Sequence, residues 1–127
     1  MMVSDTHSLL KGEGERKLPP DWQRRFDKIV ASLVDGCFEF GPDIGHVEAV
    51  PSAEQERLAE NISAYGDALK PLHPAVWRSS IYAWANDHWV VLVDLSTEKE
   101  LVSDLVLHAR IFDTDPARIV LDSIHVP

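Results

Sequence analysis

The sequence predicts an α+β domain in which two N-terminal helices pack on a four-stranded antiparallel meander sheet. Three observations predict it. Two stretches of the first half repeat apolar residues at helical spacing. The second half turns to runs rich in Val, Ile, Leu, Trp and Tyr. Short connections bearing turn residues separate those runs.

The first helix is expected over Asp21 to Val34. Asp21 follows Pro19-Pro20 and can cap a helix, and Trp22, Phe26, Ile29, Val30 and Leu33 form one stripe. Asp35-Gly36 supplies the stop. The stretch "CFEFGPDIGHVEAVP" reads as irregular through Gly41-Pro42 and Gly45, with Phe38 and Phe40 tucked under the helix. The second helix starts at Ser52, where Ser52 and Gln55 fit a capping box. Leu58, Ile62, Tyr65 and Leu69 form its buried stripe, and Pro71 and Pro74 bar continuation.

Four strands are then expected within "AVWRSSIYAWA", "HWVVLVDLS", "LVSDLVLHARIFD" and "ARIVLDSIHVP". Asn86-Asp87, Ser96 to Glu100, and Asp113 to Pro116 mark the turns. Strand alternation assigns the faces. In the second strand Trp89, Val91, Val93 and Leu95 oppose His88, Val90, Leu92 and Asp94. In the third, Leu105, Leu107, Ala109 and Ile111 oppose Asp104, Val106, His108, Arg110 and Phe112. In the fourth, Val120, Asp122, Ile124 and Val126 alternate with Ile119, Leu121, Ser123 and His125. The second face is mixed, which leaves room for a concave surface or a partner contact.

Length and composition bound the rest. A chain of 127 residues with 45% hydrophobic and 26% charged residues suits one globular domain with its own core. Residues 1–20 read as a flexible lead-in with balanced charge, and 21–127 as the domain. The net charge of −9 therefore falls on the folded part. It argues against nucleic acid and against anionic membrane surfaces, and it favours a basic protein partner by steering. No apolar run approaches the roughly 20 residues that span a bilayer. The single cysteine, Cys37, excludes an intrachain disulfide and, with no secretory signal, points to a cytoplasmic home. Beside Phe38, Cys37 reads as a small core residue.

Chemistry-bearing residues are sparse. Asp94, Glu98, Glu100 and Asp104 crowd one hairpin. Glycosidase-type work needs two carboxyls facing across a substrate; Asp94 and Asp104 can share a face, whereas Glu98 and Glu100 lie in the turn. Charge at a hairpin tip is the commoner structural device. His88, His108 and His125 can line a pocket on the mixed face, but no HExxH or HxH spacing marks a metal site. No GxSxG, GxxxxGK[ST] or GxGxxG occurs. No catalytic residue, metal or cofactor is expected, and enzymatic activity is left open. Trp77, Tyr82, Trp84 and Trp89 concentrate aromatics in the first hairpin, and Trp84 is the candidate interface anchor.

The stretch "WVVLVDLSTEKELVSDLVLHARI" with "IVLDSIHVP" resembles an uncharacterised bacterial family of unknown function, in which a "TEEEGRSDLTL"-like turn precedes a closing "IHV"-like strand. Thr97, Glu98, Glu100, Ser103, Asp104, Leu105, Ile124, His125 and Val126 carry the resemblance, and Leu101-Val102 stand where the family has a Gly-Arg-like pair. The resemblance implies no activity. It implies that Ser103-Asp104 shapes the turn by bonding its backbone. Three functions follow as expectations. The first is an acidic protein-binding module of the immunity or inhibitor type, occluding a basic partner through Asp94, Glu98, Glu100, Asp104 and Trp84. The second is a homodimeric structural domain. The third is a cone-shaped α+β fold with a small-molecule or catalytic pocket at His88, His108 and His125.

Overall fold

Pro20 opens the first helix because its fixed φ suits the first helical position and its missing amide is not needed there. The computed structural model describes residues 5–41 and 44–127. In chain order the elements are β1 (Arg16–Lys17), α1 (Pro20–Val34), β2 (His46–Val47), α2 (Ser52–Tyr65), β3 (Leu69–Lys70), a 3-10 turn over Pro74–Arg78, β4 (Ile81–Trp84), β5 (His88–Asp94), β6 (Ser96–Thr97), β7 (Val106–Phe112) and β8 (Arg118–His125). Among the described residues no helix is long and apolar enough to cross a membrane.

Both helices follow their apolar stripes; α1 starts one residue before the expected Asp21 and α2 at the expected Ser52, and both are capped differently from the sequence expectation. Trp22, Phe26, Ile29, Val30 and Leu33 are all buried. Pro19 is the N-cap of α1. Asp21 lies in its first turn and accepts a hydrogen bond from Ser8 Oγ at 2.7 Å. In α2 the capping box does not form. Pro51 is the N-cap, and Gln55 reaches back to the Val50 carbonyl at 2.8 Å. Leu58 is buried, with Ile62 and Tyr65 half-buried against the core. The helix stops at Gly66, whose φ of +81° is a conformation that glycine adopts without strain. Leu69 is buried, but in β3 rather than on the helix.

The sheet corrects the four-stranded meander. It has six strands in the order β1-β4-β5-β7-β8-β2, and β2 runs parallel to β8. The expected strands are its centre, paired antiparallel in sequence order. The additions, β1 and β2, have two residues each, too few to show a period. β3 and β6 form a separate two-stranded sheet, so the connection after β5 is a structured loop and not a tight hairpin. The Gly41-Pro42 break falls partly outside the described residues.

One sheet face meets the helices. Trp89, Val91 and Val93 of β5, Leu107, Ala109 and Ile111 of β7, and Ile119, Leu121 and Ile124 of β8 join the helical stripes in one core. The simple alternation expected for the last strand fails here. A bulge sits opposite the His108/Ala109 step, where Ser123 pairs with His108 and Leu121 with Ala109. Asp122 is the extra residue, so Ile124 returns to the core while Ser123 and His125 share the opposite face. That opposite face is half-exposed along Ile81, Ala83, Val90, Leu92, His108, Arg110, Phe112 and Val120. Arg110 grips Asp122 with two nitrogens, each at 2.8 Å from a carboxylate oxygen.

The N-terminal segment, expected as a lead-in, packs on the sheet from Asp5 onward. Leu9 and Leu18 are buried in the core. The Leu10 amide donates to Tyr82 Oη at 3.0 Å, and the Leu10 carbonyl accepts from Trp89 Nε1 at 2.9 Å. Lys11 pairs with Asp113, which also accepts from Thr6 Oγ1. The Lys11 ammonium, then the Thr6 hydroxyl, hold the Asp113 carboxyl below the usual carboxylate range. A carboxylate with a lowered folded pKa stabilises above its unfolded value, about pH 4, and that contribution disappears as pH falls through the folded value. Acidification below about pH 4 is therefore expected to loosen this clamp. Protection of the Leu9 and Leu10 amides, taken relative to the intrinsic exchange rate at each pH, should fall below about pH 4, and Asp113→Asn should flatten that step; a step unchanged in the variant would assign it to another group.

Candidate functional site

The loop from Leu95 to Leu105 is built by its own small polar side chains. Ser103 is buried, and its hydroxyl donates to the Leu95 carbonyl at 2.7 Å while accepting from the Leu105 amide at 3.2 Å. Ser96 Oγ donates to the Leu101 carbonyl at 2.6 Å and accepts from the His73 amide at 2.9 Å. The Thr97 amide donates to the Glu100 carbonyl at 2.9 Å. Asp67 accepts from the Lys99 amide at 3.1 Å, and its carboxyl lies below the ordinary range through the Thr97 hydroxyl first and that amide second.

This loop overhangs one end of the half-exposed sheet face. There Asp94, Val102, Ser103, Asp104, Val106, Val126 and Pro127 line a bowl of about 530 Å³. Asp94 is held at its rim by Ser79 Oγ, and its amide donates to Ser80 Oγ at 2.9 Å. Ser80 in turn donates to the Val76 carbonyl at 2.7 Å, tying the 3-10 turn to β5. Asp104 is exposed on the facing side. Its amide donates to Tyr65 Oη at 3.1 Å, and the same hydroxyl donates to the Glu100 carboxylate. The bond to Glu100 holds the Tyr65 hydroxyl above its ordinary range, aided by the Glu100 and Asp104 charges and opposed by the Asp104 amide.

The apolar part of the bowl is its least expected feature. Among the described residues the exposed large hydrophobics are Leu10, Leu101, Val102 and Val126. Val102 at 39% and Val126 at 52% line this bowl, and Leu101, exposed at 61%, precedes Val102 in the loop. Sequence reasoning missed Val102, Val126 and Tyr65. The signal for the first was present: Leu101-Val102 is an apolar pair inside an otherwise polar turn.

The other expected site residues disperse. Glu98 is exposed in the loop, its amide bonded to the Ala68 carbonyl at 2.9 Å, and Glu100 is turned toward α2 by Tyr65. Trp84 pairs in register with Trp89, five residues up β5 from Asp94, about 17 Å at strand rise. Its ring packs at 4.8 Å from that of Trp89 and lies under Lys11 Nζ at 5.0 Å, so it belongs to the N-terminal clamp and not to the acidic loop. Cys37 is exposed just beyond Gly36, not in the core.

The three histidines do not form one pocket. His88 pairs with Phe112, whereas His108 pairs with Leu92, four residues along β5 and about 13 Å away. His88 contacts Asp87 at 2.6 Å and the Phe112 ring at 5.4 Å. His108 and His125 do meet, with ring centroids 4.6 Å apart. Burial first and the neighbouring His125 second hold the His108 imidazole below its ordinary value, with Asp122 opposing. His125 lines a second concavity, about 320 Å³, with Asn61, Ala64, Tyr65, Leu105 and Val126. His125 thus lines one concavity with Tyr65 and Val126, while Asp94 and Asp104 line the other with Val106 and Val126.

No curated protein and no solved structure matches the chain. A family model does, over residues 30–127, which takes in the last turn of α1, all of α2, the central strands, the acidic loop and the bowl; the chain belongs to the domain-of-unknown-function family DUF7668.

Proposed function

We propose that this protein is an acidic protein-binding module that docks a basic partner at the loop end of its sheet, in the manner of an inhibitor that covers its target's surface. One observation carries the reading: two exposed apolar side chains, Val102 and Val126, line a bowl whose rim holds Asp94 and Asp104. Apolar contact supplies affinity at such a surface, and the carboxylates supply orientation and encounter rate. The net charge of −9 extends the attraction beyond contact range. Glu98 and Glu100, exposed on the same loop, lie at the margin of the surface rather than at its centre.

The test is capture from native host lysate at low salt, with wild type, Val102→Asp and Asp94→Asn/Asp104→Asn run side by side. The expected result is one basic protein, retained in stoichiometric amount and released by a salt gradient. Val102→Asp and the double variant should each weaken it roughly tenfold, about 1.4 kcal/mol. An empty column, an acidic captured protein, or equal retention by all three sinks the reading. So does a dimer in light scattering that Leu92→Asp dissociates, because the half-exposed face would then be occupied by a second copy.

A further inference from the structure

Beside the bowl, the half-exposed sheet face carries one cluster that neither core packing nor partner docking uses. His108 of β7 stands opposite Ser123 of β8, and His125 follows on the same face because the bulge at Asp122 has reset the alternation. The two rings lie 4.6 Å apart, centroid to centroid, with their planes 35° apart. We propose that His108 and His125 together form a binding site for a divalent transition-metal cation of the nickel, copper and zinc class.

The spacing is what a shared metal requires. An imidazole nitrogen binds such a cation at about 2.0–2.1 Å, which places the ring centre about 3.2 Å from the metal. Two imidazoles at a right angle on one metal then have centres about 4.5 Å apart, and at the tetrahedral angle about 5.2 Å. The observed 4.6 Å matches the right-angled case, the geometry of square-planar and octahedral sites. The pair is therefore spaced for one shared cation, which rotation of the rings about their side-chain bonds would bring both nitrogens to face.

The surroundings orient the ligands. His125 Nδ1 lies 3.0 Å from Ser123 Oγ. With that nitrogen protonated and donating to the hydroxyl oxygen, Nε2 is left to bind, the arrangement by which a hydrogen bond fixes a metal-bound histidine. Among the described residues no hydrogen bond occupies either ring nitrogen of His108. Asp122 adds negative charge beside the pair, although its carboxylate is engaged by Arg110. Among the described residues no group of three or more His, Cys, Asp and Glu side chains converges here or elsewhere, so water completes the coordination. This is a two-ligand site: its affinity depends equally on both imidazoles.

The test is calorimetric titration of the full chain with NiCl2 in a non-coordinating buffer. Wild type is expected to take up one Ni(II) per chain. His108→Gln and His125→Gln should each bind at least tenfold more weakly, whereas His88→Gln, at the far end of the same face, should bind as wild type does. Added Ni(II) should raise the melting temperature of wild type and not of the two weakened variants. Absence of saturable uptake by wild type, or uptake undiminished in the His108→Gln/His125→Gln protein, overturns the proposal. Should the variants fail to fold, sub-stoichiometric Cu(II) on wild type decides. Selective broadening of the His108 and His125 ring protons supports the site, and broadening centred on other histidines overturns it. The result is independent of whether a basic protein partner exists.

Discussion

Trp89→Ala is expected to be the most damaging single substitution in the chain, costing about 3–5 kcal/mol of stability. Trp89 is fully buried in β5, the strand between β4 and β7 near the middle of the sheet. Its ring packs on Trp84 at 4.8 Å and faces the helical stripe of the core. Truncation leaves a cavity that two strand neighbours and a helix cannot close together. It also removes the Nε1–H donor from the Leu10 carbonyl, which joins the N-terminal segment to the sheet. Trp89→Phe helps to divide the two effects, since it loses the hydrogen bond but leaves a smaller cavity than alanine does. Urea unfolding of the three proteins measures both. A loss below about 1 kcal/mol in Trp89→Ala would mean that the core repacks around this position, and that the clamp does not depend on it.

That clamp shows what the sequence makes legible and what it hides. The helices are legible because each spans several turns, enough for an apolar stripe to repeat. The strands β5 and β7 are legible because seven residues show alternation. A two-residue strand shows nothing, so β1, β2, β3 and β6 leave no trace in the pattern. Leu9 and Leu18, separated by glycines and charges, carry no period either, and only tertiary packing reveals that they are core residues. The bulge is hidden for a different reason. Val120, Asp122, Ile124 and Val126 alternate perfectly along the chain, and the inserted residue moves the register in a way that no local rule reports.

The candidate site is split along the same line. Strand parity puts Asp94 and Asp104 on one sheet face; both line one bowl, but Asp104 does so from the loop before β7 and not from a strand. Glu98, Glu100 and Trp84 were grouped with them by proximity in sequence or by residue type, and the fold separates them. The exposed Val102 and Val126 were passed over because a valine in or beside a strand reads as core, and its exposure depends on where the loop closes. His88, His108 and His125 share the half-exposed face, yet strand register sets His88 apart from the other two. The family model begins at residue 30, so the N-terminal side of the clamp, Thr6, Leu10 and Lys11, lies outside the matched region, while its sheet partners and the whole bowl lie within it.

Ser103→Ala is the second large effect expected, and it separates the scaffold of the bowl from its surface. The Ser103 hydroxyl is buried and makes two bonds, to the Leu95 carbonyl and from the Leu105 amide. The carbonyl keeps a partner in the Ser103 amide at 2.8 Å. The Leu105 amide does not, and Leu105 is itself buried, so water cannot replace the lost acceptor. An unsatisfied buried amide costs about 1–3 kcal/mol. Asp104, the next residue, is exposed; its side chain can be removed by Asp104→Ala with less than about 0.5 kcal/mol change in stability. The two neighbours are therefore expected to divide the phenotype. Ser103→Ala should lower the melting temperature and speed exchange at the Leu105 amide, and it should weaken docking because Val102 and Asp104 flank it on the bowl. Asp104→Ala should leave melting and exchange unchanged and weaken docking alone, through loss of rim charge. If both variants instead melt early, Asp104 is a structural residue like Ser103, and the rim charge would be a consequence of how the loop folds rather than a surface presented to a partner.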